Sequence, residues 1–498
     1  MFLGEIFGPD LLIVVIVVAV LVFGGAAIPK LARNLGSAKT EFEKGLKAGK
    51  NGTDATNASD ESAAKASETT PEADKWFFVD VVELADRLWR GEASIKDHHP
   101  IIFGGALAEI TDDVAFLPTF GNCSAFATDD GLFMVDTGSS FTAPTMHAEL
   151  RRWSNEPLNT AVFSHGHIDH VFGVGLFEAE AEKNGWRAPH VIAHEHLPRR
   201  FDRYVMTAGY NQTVNRRQFG LKDLIWPTTY RYPDETYVHQ HQLHVGSLEV
   251  HLRHEKGETD DATVTWLPQK RVLCTGDLFV WSSPNAGNPQ KVQRYPREWA
   301  QALRRMAELD AHFLLPGHGL PIIGPDRIHQ ALTETAEFLE SIVDQTLAMM
   351  NAGARLSDVV SDVVVPAHLA DRPFLQPVYD EPEFIVHNIW RLYGGWWDGN
   401  PATLKPANDR ALAREITELS GGAGRLADRA LSLMRSGSSN DERLAGHLIE
   451  MAWLATPDDP GIAAARQRIF SDRAERASST MAKGVFNWAA RESTGDEY

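Results

Sequence analysis

The chain has 498 residues, room for two or three domains, and its 43% hydrophobic and 23% charged content is ordinary for a globular protein. Its 67 acidic residues outnumber 48 basic ones, and the net charge of −19 argues against nucleic acid held through phosphate contacts. The two cysteines, Cys123 and Cys274, make no disulfide framework and fit a reducing compartment.

The first feature in chain order is a continuous apolar run, Leu11 to Phe23, without a charge. With Gly24 to Ile28 it approaches the ~20 residues a bilayer needs. Glu5 and Asp10 precede it, whereas Lys30, Arg33, Lys39, Lys44, Lys47 and Lys50 follow. That polarity is the reverse of a secretory signal. The positive-inside rule then puts the N-terminus outside and the rest of the chain in the cytoplasm, at the inner membrane. From Pro29 to Lys47, Leu31, Leu35, Phe42 and Leu46 recur at near-helical spacing, so an amphipathic helix is expected on an anionic leaflet. Residues 10–47 are thus the expected membrane contact. Residues 1–50 resemble the TatA-type subunit of the twin-arginine translocase. The resemblance is carried by Phe7-Gly8-Pro9, Asp10, Phe23-Gly24, Ile28-Pro29, Leu31 to Gly36 and Glu41 to Gly45. It implies either a tether or a Tat component fused to an enzyme, with other Tat subunits as partners. Residues 51–75 are small, polar and acidic and read as a disordered linker.

Residues 76–324 read as alternating strands and helices, an α/β pattern. Strands are expected at Gly131–Val135, Thr160–Phe163, Thr263–Trp266 and Arg271–Cys274, and a helix at Thr145–Trp153. After the second strand comes Ser164-His165-Gly166-His167-Ile168-Asp169-His170. Three imidazoles and a carboxylate at this density are ligands of the kind zinc takes. Side chains alternate in an extended segment, so His165, His167 and Asp169 are expected at one point and His170 at a second, room for two cations.

The pattern H-x-H-x-D-H resembles the metallo-β-lactamase superfamily, which implies an αββα sandwich with a one- or two-metal hydrolytic site. Three later stretches carry the same resemblance: Gly257-Glu258-Thr259-Asp260-Asp261, Thr275-Gly276-Asp277 and Pro316-Gly317-His318-Gly319. The turn Asp136-Thr137-Gly138 also matches, where an Asp supports the metal loop; a plain Asp turn reads equally well. Glu258, at a position usually held by His, and Asp277 nineteen residues on are similar to the alkylsulfatase branch, although that branch commonly has Glu at the second position. The resemblance implies His165, His167 and Glu258 on one zinc ion, and Asp169, His170 and His318 on the other. Asp277 and a hydroxide would bridge the two Zn2+. Asp169 and Asp277 are then the catalytic carboxylates. Two zinc ions lower the pKa of a shared water and stabilise charge on a leaving ester. Glu258 adds negative charge relative to His and is expected to make the site less electrophilic.

The loop from Trp281 to Arg297 comes next. Asn285, Asn288, Lys291 and Arg294 are candidates to bind a sulfate or other oxyanion. The resemblance puts a proton-donating His in this region, but none occurs between Asp277 and Ala311, and Tyr295 is the available substitute. Residues 325–498 read as all-helical. Tyr393 to Pro401 is similar to the segment that marks the alkylsulfatase dimerisation domain, which implies a homodimer. Phe374, Trp396 and Trp397 are candidates to meet an alkyl tail. The functional expectation is a membrane-tethered dinuclear zinc hydrolase of alkyl sulfates or related small amphiphilic esters. A Tat component fused to a hydrolase and a lactonase on the same metals are the alternatives.

Overall fold

The computed structural model describes residues 80–101 and 105–495. The expected transmembrane helix, amphipathic helix and linker all lie outside them. Among the described residues no helix is long and apolar enough to cross a membrane.

Two sheets carry the fold. The first has seven strands in the order β1 (Ala108–Thr111), β2 (Val114–Leu117), β3 (Cys123–Thr128), β4 (Gly131–Val135), β5 (Leu158–Val162), β6 (His190–His194) and β7 (Glu235–Tyr237). Pairing is antiparallel up to β4 and parallel from β4 to β7. The second has six, ordered β13 (Ile322–Ile323), β12 (Phe313–His318), β11 (Val272–Val280), β10 (Ala262–Leu267), β9 (Leu248–Glu255) and β8 (Gln240–Val245). The period of two decides what goes where. In β2, Val114 and Phe116 enter the core shared with the second sheet, while Ala115 and Leu117 join the layer under helices Ala143–Trp153 and Val174–Asn184. β4 divides likewise, with Phe133 and Val135 inward and Leu132 and Met134 outward. Helices Pro296–Ala307 and Pro325–Asn351 cover the second sheet, each opening on a proline whose missing N–H costs a first turn nothing. The result is the expected αββα sandwich.

The core does not end at residue 324. Ile328, Leu332, Leu339 and Ile342, then Phe374, Ile385, Ile389 and Trp390, belong to the same buried cluster as Val250 and Leu273. A separate core begins only with Leu426 and runs through Ile449, Ile469 and Ala490. The helices placed at the start of a C-terminal domain therefore pack as part of the sandwich, because their apolar faces have the second sheet to cover. The helix Thr480–Glu492 returns to the first unit: Gly484 lies against the backbone of Gln218, where any Cβ would collide with the carbonyl.

Candidate metal centre

All but one of the predicted ligands leave a strand end or a turn at one edge of the sandwich; Asp277 is the exception. His165 to His170 lie in the loop after β5, and Glu258 lies in the turn between β9 and β10. Asp277 is inside β11, one residue past Gly276 (φ +51°), and His318 closes β12. His165, His167, Glu258 and Asp277 form one cluster, and Asp169, His170 and His318 a second. Asp169 thus departs from strict alternation with His165 and His167. The segment is a series of bends and turns, not a strand, so the period of two lapses.

The two clusters meet at Asp277. Its Oδ2 lies 3.5 Å from His165 Nε2 and 3.2 Å from His318 Nε2, and its Oδ1 lies 3.3 Å from His170 Nε2. Asp169 Oδ2 is 3.4 Å from His318 Nε2 and 3.7 Å from His170 Nε2. Glu258 Oε2 is 3.4 Å from His167 Nδ1, and that nitrogen is 2.7 Å from His165 Nε2. Three buried atoms here have no hydrogen-bond partner: His170 Nε2, Glu258 Oε2 and Asp277 Oδ1. Buried polar atoms are seldom left so. Burial holds His165 near 4 and His167 well below its usual value, so both imidazoles keep the neutral form a metal needs. Burial also pushes Glu258 up to about 8 against the pull of Arg294. Convergent imidazoles and carboxylates with orphaned atoms at their meeting point fit divalent cations.

Behind the ligands stands a shell of fixed partners. Asp136, held at φ +60°, accepts the Ser164 N–H on Oδ1 (2.7 Å) and the Ser164 hydroxyl on Oδ2 (2.6 Å). Its Oδ2 also lies 2.8 Å from His170 Nδ1, which fixes that ring. Ser164 Oγ lies 3.0 Å from His165 Nδ1. The Phe120 carbonyl orients His318 through Nδ1. Asn122 pins the Pro316–Gly319 turn, donating to the carbonyls of Pro316 (3.0 Å) and Gly319 (2.9 Å). Asp261 accepts the Gly166 N–H (3.0 Å) and pairs with buried Arg200 (2.8 Å). Asn122, Asp261 and Arg200 were not singled out from sequence. Asp261 lies close enough to Glu258 to have been suspected; the other two carry no local signal.

The proposed substrate residues divide. Asn285 and Arg294 are buried and turned to Glu258: Asn285 Nδ2 donates to Oε1, and Arg294 Nη1 lies 2.8 Å from Oε1 and 2.6 Å from the Glu258 carbonyl. Lys291 Nζ donates to Asn215 (2.9 Å) and sits over Trp226; burial lowers it to about 7. Asn288 Oδ1 accepts the Gln290 N–H (3.1 Å), a turn within its own loop. The Tyr295 ring lies beside Lys256 and its N–H donates to Gly257. Trp396 is 72% exposed, and Trp397 gives its indole N–H to Asn400. Phe374 is no tail contact: it is buried and stacked on Trp89 with ring centres 5.2 Å apart. Tyr379, which sequence reasoning passed over, is half-buried near the charges of Asp169 and Glu258, and desolvation raises its phenol.

Residues 117–318 match the metallo-beta-lactamase superfamily. The chain carries a metallo-β-lactamase superfamily domain. Membership implies divalent-cation binding. Residues 355–496 match the alkyl sulfatase dimerisation family, and residues 6–52 the mttA/Hcf106 family. The chain is similar to a linear primary-alkylsulfatase of a Pseudomonas species, 28% identical over 319 residues, covering 59% of this chain and 59% of that one. It is also similar to an alkyl/aryl-sulfatase of Saccharomyces cerevisiae, 23% identical over 380 residues, covering 70% and 57%. The chain therefore spans under two thirds of the length of these relatives. The fold resembles that of a stereoselective inverting sec-alkylsulfatase of Pseudomonas sp., with TM-score 0.70 and 20% identity, covering 78% of this chain and 66% of that one.

Proposed function

We propose that the protein is a metal-dependent hydrolase of alkyl sulfates or related amphiphilic esters, with two zinc ions per chain. The observation that carries this reading is the meeting of the two ligand clusters at Asp277, with three orphaned buried atoms aimed into the gap. His165, His167 and Glu258 would hold one cation, Asp169, His170 and His318 the other, and Asp277 both. Such cations bring water toward ionisation at neutral pH and stabilise charge on an ester oxygen. The chain's part is to hold the ligand atoms rigid. Asp136 keeps the proton of His170 on Nδ1, Phe120 does the same for His318, and Arg294 and Asn285 fix Glu258. The alkylsulfatase names of the relatives support a sulfate ester as substrate. Lys291, the cation between Trp281 and Tyr295 that is not turned to Glu258, would meet its anionic group.

The organisation proposed is an N-terminal TatA-like tether over residues 1–50, a linker, the catalytic sandwich and a helical homodimerisation unit. The match of residues 6–52 supports attachment to the inner membrane, with the N-terminus outside and the catalytic part in the cytoplasm. A role beside Tat subunits is the alternative use of that segment. The test is metal analysis of the full chain in a non-ionic detergent, then assay on dodecyl sulfate and acyl-lactones. Two equivalents of zinc with sulfate release support the reading. Lactone turnover without sulfate release refutes the sulfatase assignment.

A further inference from the structure

Glu258 and Arg294 are both buried, 3% exposed each, and form an ion pair beside the cation-ligand atoms. The pairing is one-sided. Oε1 takes both Arg294 and Asn285, and Arg294 Nη1 also binds the Glu258 carbonyl, so the guanidinium spans side chain and main chain. Oε2 has no hydrogen-bond partner and faces His167 and His165. Arg294 itself cannot swing away easily. Asn388, in the helix Pro382–Gly394, accepts its backbone N–H (3.2 Å) and donates to its carbonyl (3.0 Å).

We propose that Arg294 is a positioning residue that turns Glu258 into a one-oxygen, charge-neutral metal ligand. The guanidinium occupies Oε1, leaving Oε2 as the single donor. It also cancels most of the carboxylate charge in a dry site, where nearby charges are poorly screened. A cation bound by His165, His167 and the Glu258–Arg294 pair would feel three nearly neutral donors, plus Asp277. This runs against the expectation that Glu258 weakens the electrophilicity of the site by added negative charge. It also removes Arg294 from the groups available to a substrate anion. The inference rests on the reading of these residues as a metal centre.

The experiment measures zinc binding to the full chain by chelator competition, and bound zinc by elemental analysis, for wild type, Glu258→His, Arg294→Met and the double variant. Glu258→His leaves an unpaired buried guanidinium facing the cation and should weaken the first site about a hundredfold. Adding Arg294→Met removes that charge, and the double variant should bind zinc at least about tenfold more tightly than Glu258→His alone. Arg294→Met alone leaves Oε1 to Asn285 and uncovers the carboxylate charge, so zinc should bind no more weakly than in wild type. A double variant no better than Glu258→His overturns the proposal. So does zinc loss in Arg294→Met beyond about tenfold, the result for a merely structural partner. Arg294→Lys guards against a misfolded Arg294→Met, because it keeps the charge and should keep wild-type zinc affinity; a loss there also overturns it. If wild type binds no divalent cation, the metal-centre reading itself fails, a result distinct from these.

Discussion

Replacing Asp136 with Asn changes one atom and keeps the shape, and Asn tolerates the left-handed backbone that Asp136 adopts at φ +60°. The bonds around the carboxylate decide how the new amide must sit. Oδ1 must stay an oxygen, because the Ser164 N–H donates to it at 2.7 Å. The new NH2 must then occupy the Oδ2 position, 2.6 Å from Ser164 Oγ and 2.8 Å from His170 Nδ1. A donor facing Nδ1 requires that nitrogen to accept, which moves the imidazole proton to Nε2. Nε2 is the orphaned atom that points 3.3 Å from Asp277 Oδ1 into the ligand cluster. A protonated Nε2 cannot bind a cation. Loss of a carboxylate that orients a metal-binding imidazole costs ~10–100-fold in metal affinity, or about 1.4–2.7 kcal/mol. The assay is zinc titration against a chelator, resolving two sites. The second site, of Asp169, His170 and His318, should weaken by that amount while the first changes less. An Asp136→Asn variant that binds two zinc ions with wild-type affinity refutes the tautomer reasoning.

Gly317→Ala puts a Cβ onto Asp277 Oδ1 and the backbone of Gly276. Asp277 must move, and activity should fall at least about a hundredfold, with loss of bound zinc by elemental analysis; a fully loaded, active variant counts against the shared role of Asp277. Asn388→Ala strands the buried Arg294 N–H, while Gln293 still donates to the Arg294 carbonyl at 2.9 Å. One orphaned donor and a small cavity should cost about 2–4 kcal/mol, read from the urea midpoint at unchanged slope. A change under about 0.5 kcal/mol would show that the seam is not tightly packed. His194 is buried and stacked on His254 at 3.6 Å, and burial, then His254, lower it from 6.5 to about 4. The fold favours its neutral form, so its contribution is complete above pH 6.5 and is lost as the pH falls toward 4. In His194→Gln the thermal midpoint should drop less steeply across that window; an unchanged slope contradicts the assignment.

The residues of the two clusters are the most legible part of the sequence. Their chemistry is restricted to few residue types, and they sit beside short apolar strands with recognisable periods. Asp169 shows where that legibility stops: alternation was read through a segment that folds as bends, and only the path of the backbone sends its carboxylate to His318. Arg294 and Asn285 stand in a loop that reads as a place to meet an oxyanion. Their turn toward Glu258 depends on Asn388, ninety-four residues away, and on Asp380, which accepts the Gly287 N–H at 2.7 Å. No local pattern encodes such a contact. The helices after residue 325 were correctly legible as helices, but amphipathicity names an apolar face without naming the core that will cover it. Phe374 and Trp396 illustrate the same gap, one buried against Trp89 and the other almost bare.

The loop from Trp281 to Tyr295 is stapled along its length to the segment 376–391. Gln376 accepts the Ser283 N–H, Asp380 the Gly287 N–H and Asn388 the Arg294 N–H, and Arg391 donates to Gln293. For recombination between related chains, this sets the crossover point. A junction near residue 325 would pair one parent's loop with the other parent's staples and expose the three side-chain rungs, at Asp380, Asn388 and Arg391, to mismatch at once. A junction between Gly395 and Asp409, after the shared core ends at Trp390 and before the second begins at Leu426, leaves the ladder intact. Lineages that exchange their helical tails should therefore inherit residues 281–394 as one block.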